Sequence, residues 1–328
     1  MKLDWRLVLV LVMSLGLMVG CTDDDEEEIV PVGTFADVST YMTDNGLDLP
    51  AMLIDWVIPA SSVVNEADGT VPDYTVLDIR GASDFALGHI AGSINTTLGG
   101  ILTAAEGNAA GTSGYLVVCV TGQTAGHAVM ALRLMGYEAK VLKFGFSGWN
   151  TAFEGPWAGA TGNRGVGHAN WVTTADPGRG SYDYPAWEST TTEGAALLTE
   201  RVETMLDGGF KAILGHTDAT SVLEAPANYQ VFNFWTMDEY TTFGHFDGAV
   251  QLNPISIADD EISAIDPDMQ GAMYCFTGQT SSMVTAWLNV LGYDMSSILF
   301  GVNALNYDEL YAAEKPTWHG AADYMYEG

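Results

Sequence analysis

The sequence predicts an α/β protein of two tandem domains, each a mainly parallel sheet flanked by helices. Three landmarks recur 156 residues apart in the chain of 328: the cysteines Cys119 and Cys275, the Gly-His pairs ending at His89 and His245, and a pair of Gly-Tyr dipeptides. A constant spacing of this kind indicates a duplicated domain. Short apolar runs alternate with helical patterns in both copies, as in parallel sheets covered on both faces.

The elements follow the same order in both copies. The first copy reads as a strand over residues 75–80, a Gly-His turn, a second strand ending on Cys119, a Gly-containing loop, a helix over residues 125–135 and a strand "AKVLKF". The helix places Val129, Leu132 and Met135 on one face and stops at Gly136. The second copy starts with a strand over residues 230–235 and has one inserted residue before its Gly-His turn.

The beginning of the sequence reads as an export signal over residues 1–20, with basic residues ahead of the apolar run "LVLVLVMSLGLMVG". Gly20 followed by Cys21 resembles the lipidation motif of bacterial lipoproteins, which implies cleavage before Cys21 and a lipid on its thiol. Thr22, rather than Asp, favours the outer over the inner membrane of the cell envelope by analogy. The alternatives are an ordinary signal peptide with an incidental cysteine and an uncleaved anchor.

Composition divides the rest of the chain and excludes one class of partner. An acidic tether over residues 21–33 precedes copy one (residues 34–154), an irregular linker rich in Gly, Thr, Pro and Trp (155–192) and copy two (193–328). The formal net charge is −31, and phosphate recognition needs a basic surface. The sequence therefore predicts no nucleic-acid binding.

The repeated stretches "CVTGQT" and "CFTGQT" are predicted to lie at the carboxyl ends of strands, where sites form in parallel sheets. A cysteine followed by a tight turn into a helix lies among backbone N–H groups, which favour a thiolate. Gly122 and Gly278 allow the turn. Thr124 and Thr280 are expected to cap the helix or to donate a hydroxyl to the sulfur.

Both copies resemble the rhodanese-like sulfurtransferase domain. The resemblance rests on "VLDIRGASDFALGHIAGSIN" and "VVCVTGQTAGHAVMALRLMGYEAKVLKFGFSGW" in copy one, and tandem copies resemble thiosulfate and mercaptopyruvate sulfurtransferases. It implies Cys119 and Cys275 as persulfide-carrying nucleophiles that move sulfur from a donor such as thiosulfate, polysulfide or mercaptopyruvate to a thiol or other nucleophilic acceptor. The implied persulfide-binding residues are Val120, Thr121, Gly122, Gln123, Thr124, Phe276, Thr277, Gly278, Gln279 and Thr280, together with Arg80. No metal or organic cofactor is required.

Departures from the family pattern restrict the reactions and substrates that are expected. Related phosphatases need Cys-x5-Arg, whereas Ala125 and Ser281 stand at those positions, so phosphate-ester hydrolysis is not expected. Neither loop carries the basic residues usual for thiosulfate, so a cationic grip on sulfite oxygens is missing from the loop. Asp78 and Arg80 of copy one correspond to Asn233 and Trp235 in copy two, which makes copy one the better candidate.

Several alternatives remain open at this stage. Cys119 and Cys275 could be buried structural thiols or could form a disulfide, and Trp235 could belong to the core or close the second pocket. His89 and His245 are expected to hold loop backbone, and His127 to lie on a helix face. The main functional rival is a non-catalytic binding or assembly module in an envelope complex. Reductive chemistry on selenium or tellurium oxyanions is a third class, supported only by the reactive cysteine.

Overall fold

The structure is a computed structural model that describes residues 32–216 and 221–328. The predicted signal segment and Cys21 lie outside the described residues. The strands in chain order are β1 (Gly33–Thr34), β2 (Val57–Ile58), β3 (Thr75–Asp78), β4 (Ile94–Asn95), β5 (Tyr115–Val118), β6 (Ala139–Leu142), β7 (Trp171–Val172), β8 (Glu188–Ser189), β9 (Ala212–Ile213), β10 (Gln230–Asn233), β11 (His245–Phe246), β12 (Val250–Gln251), β13 (Gly271–Tyr274) and β14 (Met295–Ile298).

Ten α-helices accompany these strands in the described ranges. In chain order they are α1 (Phe35–Asp44), α2 (Leu49–Met52), α3 (Ala82–Leu87), α4 (Ile101–Gly107), α5 (Thr124–Leu134), α6 (Gly155–Ala160), α7 (Gly194–Asp207), α8 (Met237–Phe243), α9 (Gln279–Leu291) and α10 (Tyr307–Ala312). The two helices that follow the cysteines, α5 and α9, are almost entirely buried. None of the helices in the described part of the chain is both long and apolar enough to cross a bilayer.

Two five-stranded sheets carry the fold, and every pairing within them is parallel. The order is β2-β6-β5-β3-β4 in copy one and β9-β14-β13-β10-β12 in copy two. The two orders correspond strand for strand, and the cysteine in each copy follows the central strand, β5 or β13. The predicted fold class, two parallel sheets flanked by helices, is confirmed.

The two copies meet along the equivalent helices α5 and α9. One apolar core contains Val129 and Leu132 from α5 together with Val284 and Leu288 from α9, all fully buried. The helices cross closely at Gly126, where a Cβ atom would overlap the Ser282 hydroxyl. Because both cysteine loops lead directly into these helices, the crossing brings the two loops side by side.

Two short antiparallel pairings and the last residues of the sequence also connect distant parts of the chain. Strand β1 pairs with β8, and β7 pairs with β11. The segment of residues 318–328 returns to copy one: Trp149 Nε1 donates to the Met325 carbonyl at 2.8 Å, and His89 N donates to the Glu327 carbonyl at 2.7 Å. The predicted irregular linker contains α6, β7 and β8, with Trp157 fully buried but Tyr182 and Tyr184 each 43% exposed.

Candidate functional site

Loop one (residues 119–124) places the Cys119 sulfur against backbone donors. Sγ accepts hydrogen bonds from the N–H groups of Gly122 at 3.1 Å and Ala125 at 3.3 Å. Ala125 is the second residue of α5, so its N–H is one of the otherwise unpaired groups at a helix start, whereas Gly122 lies in the turn just before the helix. This arrangement can stabilise negative charge on a sulfur without a cationic side chain.

A glycine behind the loop makes this turn possible. Gly122 has a φ of +79°, and Gly145 has a φ of +62°. A Cβ on Gly145 would lie 2.5 Å from both the Cys119 carbonyl oxygen and the Gly122 nitrogen. The dipeptide Phe144-Gly145 recurs 156 residues later as Phe300-Gly301, again with positive φ at both residues. This duplicated Phe-Gly is a site feature that the predicted residues missed, although its spacing in the sequence could have found it.

The pKa of Cys119 is shifted away from the thiolate that the sequence predicts. Burial raises the pKa of the Cys119 thiol, since its side chain lies inside the protein and the residue is only 4% exposed. The amides of Ala125, Thr121 and Gly122 act in the opposite direction and lower that pKa, whereas the charge of Asp78 raises it. The net direction is upward, so the resting sulfur is held mainly as a thiol with anion-stabilising donors already in place.

The remaining residues of loop one are fixed mostly by contacts outside the loop. The Gln123 side chain is buried, and its Oε1 accepts a hydrogen bond from the Phe300 N–H of copy two at 2.7 Å. Trp157 Nε1 donates to the Thr121 carbonyl at 3.1 Å. Val120 is 38% exposed and is the part of the loop that faces solvent. The loop therefore has a rigid inner side and one apolar outer residue.

Loop two (residues 275–280) surrounds its sulfur differently. Cys275 Sγ accepts one backbone hydrogen bond, from Ser281 N at 3.4 Å, and lies 3.7 Å from the Ser281 hydroxyl. That hydroxyl is 2.8 Å from the Ser297 hydroxyl, which donates to the Gly278 carbonyl at 3.3 Å. Cys275 is thus part of a buried hydroxyl network, and Cys119 and Cys275 are both free. The disulfide alternative is not formed.

Other loop-two residues support the turn rather than face solvent. Thr277 Oγ1 accepts from Gln279 N at 3.4 Å, and the Phe276 carbonyl accepts from Asn303 Nδ2 at 2.7 Å. Gly278 has a φ of +74°.

The expected caps are wrong. The N-cap positions are Gln123 and Gly278, and neither has a side-chain capping bond. Thr124 lies one residue inside α5 and Thr280 two residues inside α9, both half-buried, because the helices begin earlier than predicted. The hydroxyl beside the Cys275 sulfur belongs to Ser281.

Arg80 lies close to loop one but is already engaged. Its Nη2 is 2.6 Å from Asp78 Oδ2 and also donates to the Gly88 carbonyl at 2.7 Å, and its Nε donates to Asp78 Oδ1 at 3.0 Å. The guanidinium carbon lies 3.8 Å from the centre of the Phe146 ring. This buried ion pair compensates the cation, so little of its charge is available to a substrate.

The same position in copy two is filled by an aromatic ring. Trp235 is 1% exposed and stacks on Phe276, the residue after Cys275, with ring centres 4.6 Å apart. Phe243 contacts Trp235 edge-on at 6.1 Å. Trp235 therefore belongs to the core and also covers the outer side of loop two. The sequence left these two roles as alternatives, and the structure shows both.

Copy one keeps a cavity at the equivalent place, with a volume of about 380 Å³. Its lining residues include the exposed apolar side chains Leu87 and Val120, the rings of Phe146 and Phe153, and Arg80. The cavity reaches loop one at Val120, immediately after Cys119. Of the two loops, loop one therefore has the stronger set of backbone donors and an adjacent space for a ligand.

His89 and His245 contact backbone carbonyl groups, as predicted. His89 Nδ1 lies 2.9 Å from the Phe85 carbonyl, and the ring nitrogens of His245 lie 3.0 and 2.9 Å from the carbonyls of Phe246 and Thr174. His127 is fully buried on α5, edge-on to Phe210. No cluster of three His, Cys, Asp or Glu side chains suited to a metal ion occurs within residues 32–216 and 221–328.

Comparison with known proteins finds similarity to the rhodanese-like domain in the first copy. The model of the rhodanese-like domain family matches residues 63–152. Among solved structures, a rhodanese-related protein from Thermoplasma volcanium is 25% identical over 27% of this chain and 85% of its own, with a TM-score of 0.24. The 3-mercaptopyruvate sulfurtransferase from Leishmania major is 14% identical over 79% of this chain and 75% of its own, with a TM-score of 0.26. The thiosulfate sulfurtransferase from Pseudomonas aeruginosa is 13% identical over 88% of this chain and 49% of its own, also at 0.26. No curated protein matches the chain.

Proposed function

We propose that the protein is a sulfurtransferase that carries sulfane sulfur on Cys119 as a persulfide. The observation that carries the proposal is the pair of N–H donors, from Gly122 and Ala125, on a cysteine at the end of a central parallel strand. The rhodanese-like domain match over residues 63–152 contains this cysteine and supports the same assignment.

In the first step the Cys119 sulfur attacks the outer sulfur of a donor, forming a new S–S bond. The bond that joins this sulfur to the rest of the donor breaks, which is an S–S bond in thiosulfate or polysulfide and a C–S bond in mercaptopyruvate. The donor body leaves with the electron pair of that bond. The two amides lower the cost of negative charge on the attacking sulfur and then on the terminal sulfur of the persulfide. In the second step a nucleophilic acceptor takes the terminal sulfur, and the Cys119 thiolate is released.

Copy two has a different part in this proposal. Cys275 has a hydroxyl network in place of a second amide donor, and Trp235 covers the space next to Phe276. Copy two therefore acts as a structural partner, and Cys275 carries no sulfur during turnover. This reverses the arrangement common in tandem members of the family that the sequence resembles, in which the second domain is active.

The test is intact mass spectrometry of the purified full chain after reduction and exposure to thiosulfate, mercaptopyruvate or polysulfide. We expect the wild type to gain the mass of one sulfur atom, Cys275→Ser to keep this gain and Cys119→Ser to lose it. A gain that persists in Cys119→Ser would contradict the proposal. If no donor produces an adduct on the reduced wild-type chain, the sulfurtransferase proposal fails. The non-catalytic binding or assembly module, which the deep burial of Cys119 favours, then takes its place.

We also propose that the protein is exported and anchored in the cell envelope by a lipid on Cys21. The motif at Gly20-Cys21 supports this location, and the acidic residues that follow would serve as a tether to the folded part. Metabolic labelling with an alkyne fatty acid tests it, with Cys21→Ser as the variant that should lose the label. A wild-type protein without label would overturn the proposal.

A further inference from the structure

One peptide group of loop one carries a donor on which the proposed chemistry depends. The Gly122 N–H, which donates to Cys119 Sγ at 3.1 Å, belongs to the same peptide group as the Thr121 carbonyl. A trans peptide is planar, and its N–H and C=O bonds point in opposite directions. A group that holds the Thr121 carbonyl therefore also determines whether the Gly122 N–H points at the sulfur.

The Thr121 carbonyl is held by a side chain, whereas the two carbonyls before it are held by the main chain. The N–H groups of residues 146–147 donate to the carbonyls of Cys119 and Val120 at 2.8 and 2.9 Å. The Thr121 carbonyl instead accepts from Trp157 Nε1 at 3.1 Å, from 36 residues further along the chain. The orientation of this peptide is thus set from outside loop one.

The backbone of Gly122 is able to adopt either orientation of this peptide. Its φ is +79°, and glycine adopts positive and negative φ about equally readily. In tight turns the two signs correspond to opposite orientations of the preceding peptide. A flipped peptide would direct the N–H away from Cys119 Sγ and the carbonyl oxygen toward it, where that oxygen would oppose negative charge on the sulfur.

Trp157 is enclosed by aromatic side chains from both copies. It is fully buried, meets the rings of Phe144 and Phe300 edge-on at 5.1 and 5.0 Å, and stacks on Trp318 at 5.8 Å. Its Nε1 also lies 3.2 Å from the Phe144 carbonyl, in the turn that packs behind loop one. A side chain packed on all sides holds its donor in one place before any reaction begins.

The hydrogen bond at the carbonyl also strengthens the amide donor on the same peptide, because hydrogen bonds in a chain polarise one another. The amides of Ala125, Thr121 and Gly122 lower the pKa of the Cys119 thiol, while burial and the charge of Asp78 raise it. Few groups therefore favour the thiolate. The loss of one amide should make the thiolate measurably less stable.

Copy two provides an internal comparison. Gly278 has a φ of +74°, close to that of Gly122. Among the described residues, Cys275 Sγ nevertheless accepts its backbone hydrogen bond from Ser281 and not from Gly278. No indole N–H donates to the Thr277 carbonyl within the same described ranges. The loop without an indole donor is thus also the loop without the glycine donor.

We propose that Trp157 is a positioning residue for Cys119, and that its indole N–H holds the Thr121–Gly122 peptide in the orientation that directs the Gly122 N–H at the sulfur. The inference rests on the proposed function in so far as this sulfur carries the persulfide. Trp157 lies outside residues 63–152, which match the rhodanese-like domain model. The linker between the copies therefore takes part in forming the site.

The test compares Trp157→Phe with Trp149→Phe in the purified full chain. Both tryptophans are fully buried, and Trp149 Nε1 also donates to a carbonyl, that of Met325 at 2.8 Å, which lies outside loop one. Each change removes the same ring atoms and one indole donor, but only the first acts on the loop. Alkylation of Cys119 by iodoacetamide is measured against pH on the peptide that contains it. The plateau at high pH reports access to the sulfur, and the midpoint reports stabilisation of the thiolate.

We expect Trp157→Phe to move the midpoint to higher pH. At about pH 7.5 its rate relative to the plateau should fall about tenfold, because a hydrogen bond to the charged sulfur is lost. Trp149→Phe should keep the wild-type midpoint even where it loses similar stability. Benzothienylalanine at position 157 has a sulfur atom in place of the N–H group and nearly the same shape. It should reproduce the shift, and it decides the question where Trp157→Phe does not fold.

The outcomes separate this inference from the sulfurtransferase proposal. If the benzothienylalanine protein keeps the wild-type midpoint, or if Trp149→Phe moves the midpoint equally, Trp157 is only a core residue and the inference is overturned. Loading by thiosulfate, mercaptopyruvate or polysulfide is followed by intact mass on the same proteins. If the wild type loads no sulfur, the sulfurtransferase proposal fails, while the alkylation midpoints still decide the role of Trp157. If the wild type and both position-157 variants load at equal rates, the positioning inference alone is overturned.

Discussion

His127 makes a quantitative prediction about stability in acid. The side chain is fully buried on α5, where the two copies meet, and lies edge-on to Phe210 with ring centres 4.9 Å apart. Burial lowers the pKa of His127 from its ordinary 6.5 to about 3. The backbone of Ser282 raises that pKa in part, and the charge of Lys211 lowers it further. The folded protein therefore holds this histidine neutral.

The sign and size of the effect follow from proton linkage. As the pH falls below 6.5, the unfolded chain binds a proton on His127, whereas the folded protein does not until the pH reaches about 3. The contribution of the neutral histidine to stability is complete above pH 6.5 and is lost at about 1.4 kcal/mol per pH unit below it. Near pH 4.5 the loss amounts to about 3 kcal/mol, and it approaches 5 kcal/mol near pH 3.

The assay is denaturant unfolding of the wild type and His127→Met at about pH 7.5 and about pH 4.5. Methionine is the residue that copy two has at the equivalent position, Met283, where it is fully buried. The carboxylates of this acidic chain titrate in both proteins and cancel in the difference. We expect the variant to gain about 3 kcal/mol relative to the wild type on going to the lower pH. A control, His319→Met, changes an exposed histidine and should not gain. Parallel pH profiles for the wild type and His127→Met, within about 0.5 kcal/mol, would refute the reasoning.

Three further predictions concern the free energy of unfolding around loop one, measured by denaturant titration. Gly145→Ala should lose at least about 2 kcal/mol more than Gly46→Ala, which also has a positive φ but has no atom within 4 Å of its added methyl group. Equal losses would contradict the close packing behind the loop. Arg80→Met should cost about 3 to 5 kcal/mol because it leaves the buried Asp78 carboxylate without its cationic partner, and a neutral result would mean that the ion pair does not stabilise the fold. Gln123→Ala should cost about 1 to 3 kcal/mol, since it leaves the Phe300 N–H without its acceptor, and a silent change would show that water replaces the amide.

The fold was predictable because its signals are local and occur twice. Apolar runs gave strands close to their observed bounds: 75–80 was predicted and Thr75–Asp78 is found, and the helix predicted over 125–135 is found at Thr124–Leu134. The repeat of 156 residues then required the same order of strands in both sheets. Each of these inferences depends on side-chain periodicity within a short window, where chain geometry limits the possible structures.

The site was only partly predictable because its decisive contacts are distant in sequence. Gln123 meets Phe300, 177 residues away, and His89 meets Glu327. No periodicity places such residues together, because these contacts depend on how the two copies and the segment of residues 318–328 pack. The electrostatics at Cys119 were misjudged for the same reason. The local turn supplies the amides that the sequence indicated, whereas the burial that raises the pKa comes from the surrounding fold.

The packing of the two loops explains why loop two retains its sequence without an open site of its own. The Gln279 side chain occupies the space where a Cβ of residue 122 would lie, and the Gln123 side chain does the same at Gly278. Each Gly-Gln pair is therefore complementary to the other, and a change in loop two would displace the amides that surround Cys119. Trp235 and Phe276 could replace a cavity by a packed aromatic stack because that stack lies on the outer side of loop two, away from this contact. Loop two thus helps to hold the amides around Cys119, while its own cysteine is buried against the Ser281 hydroxyl.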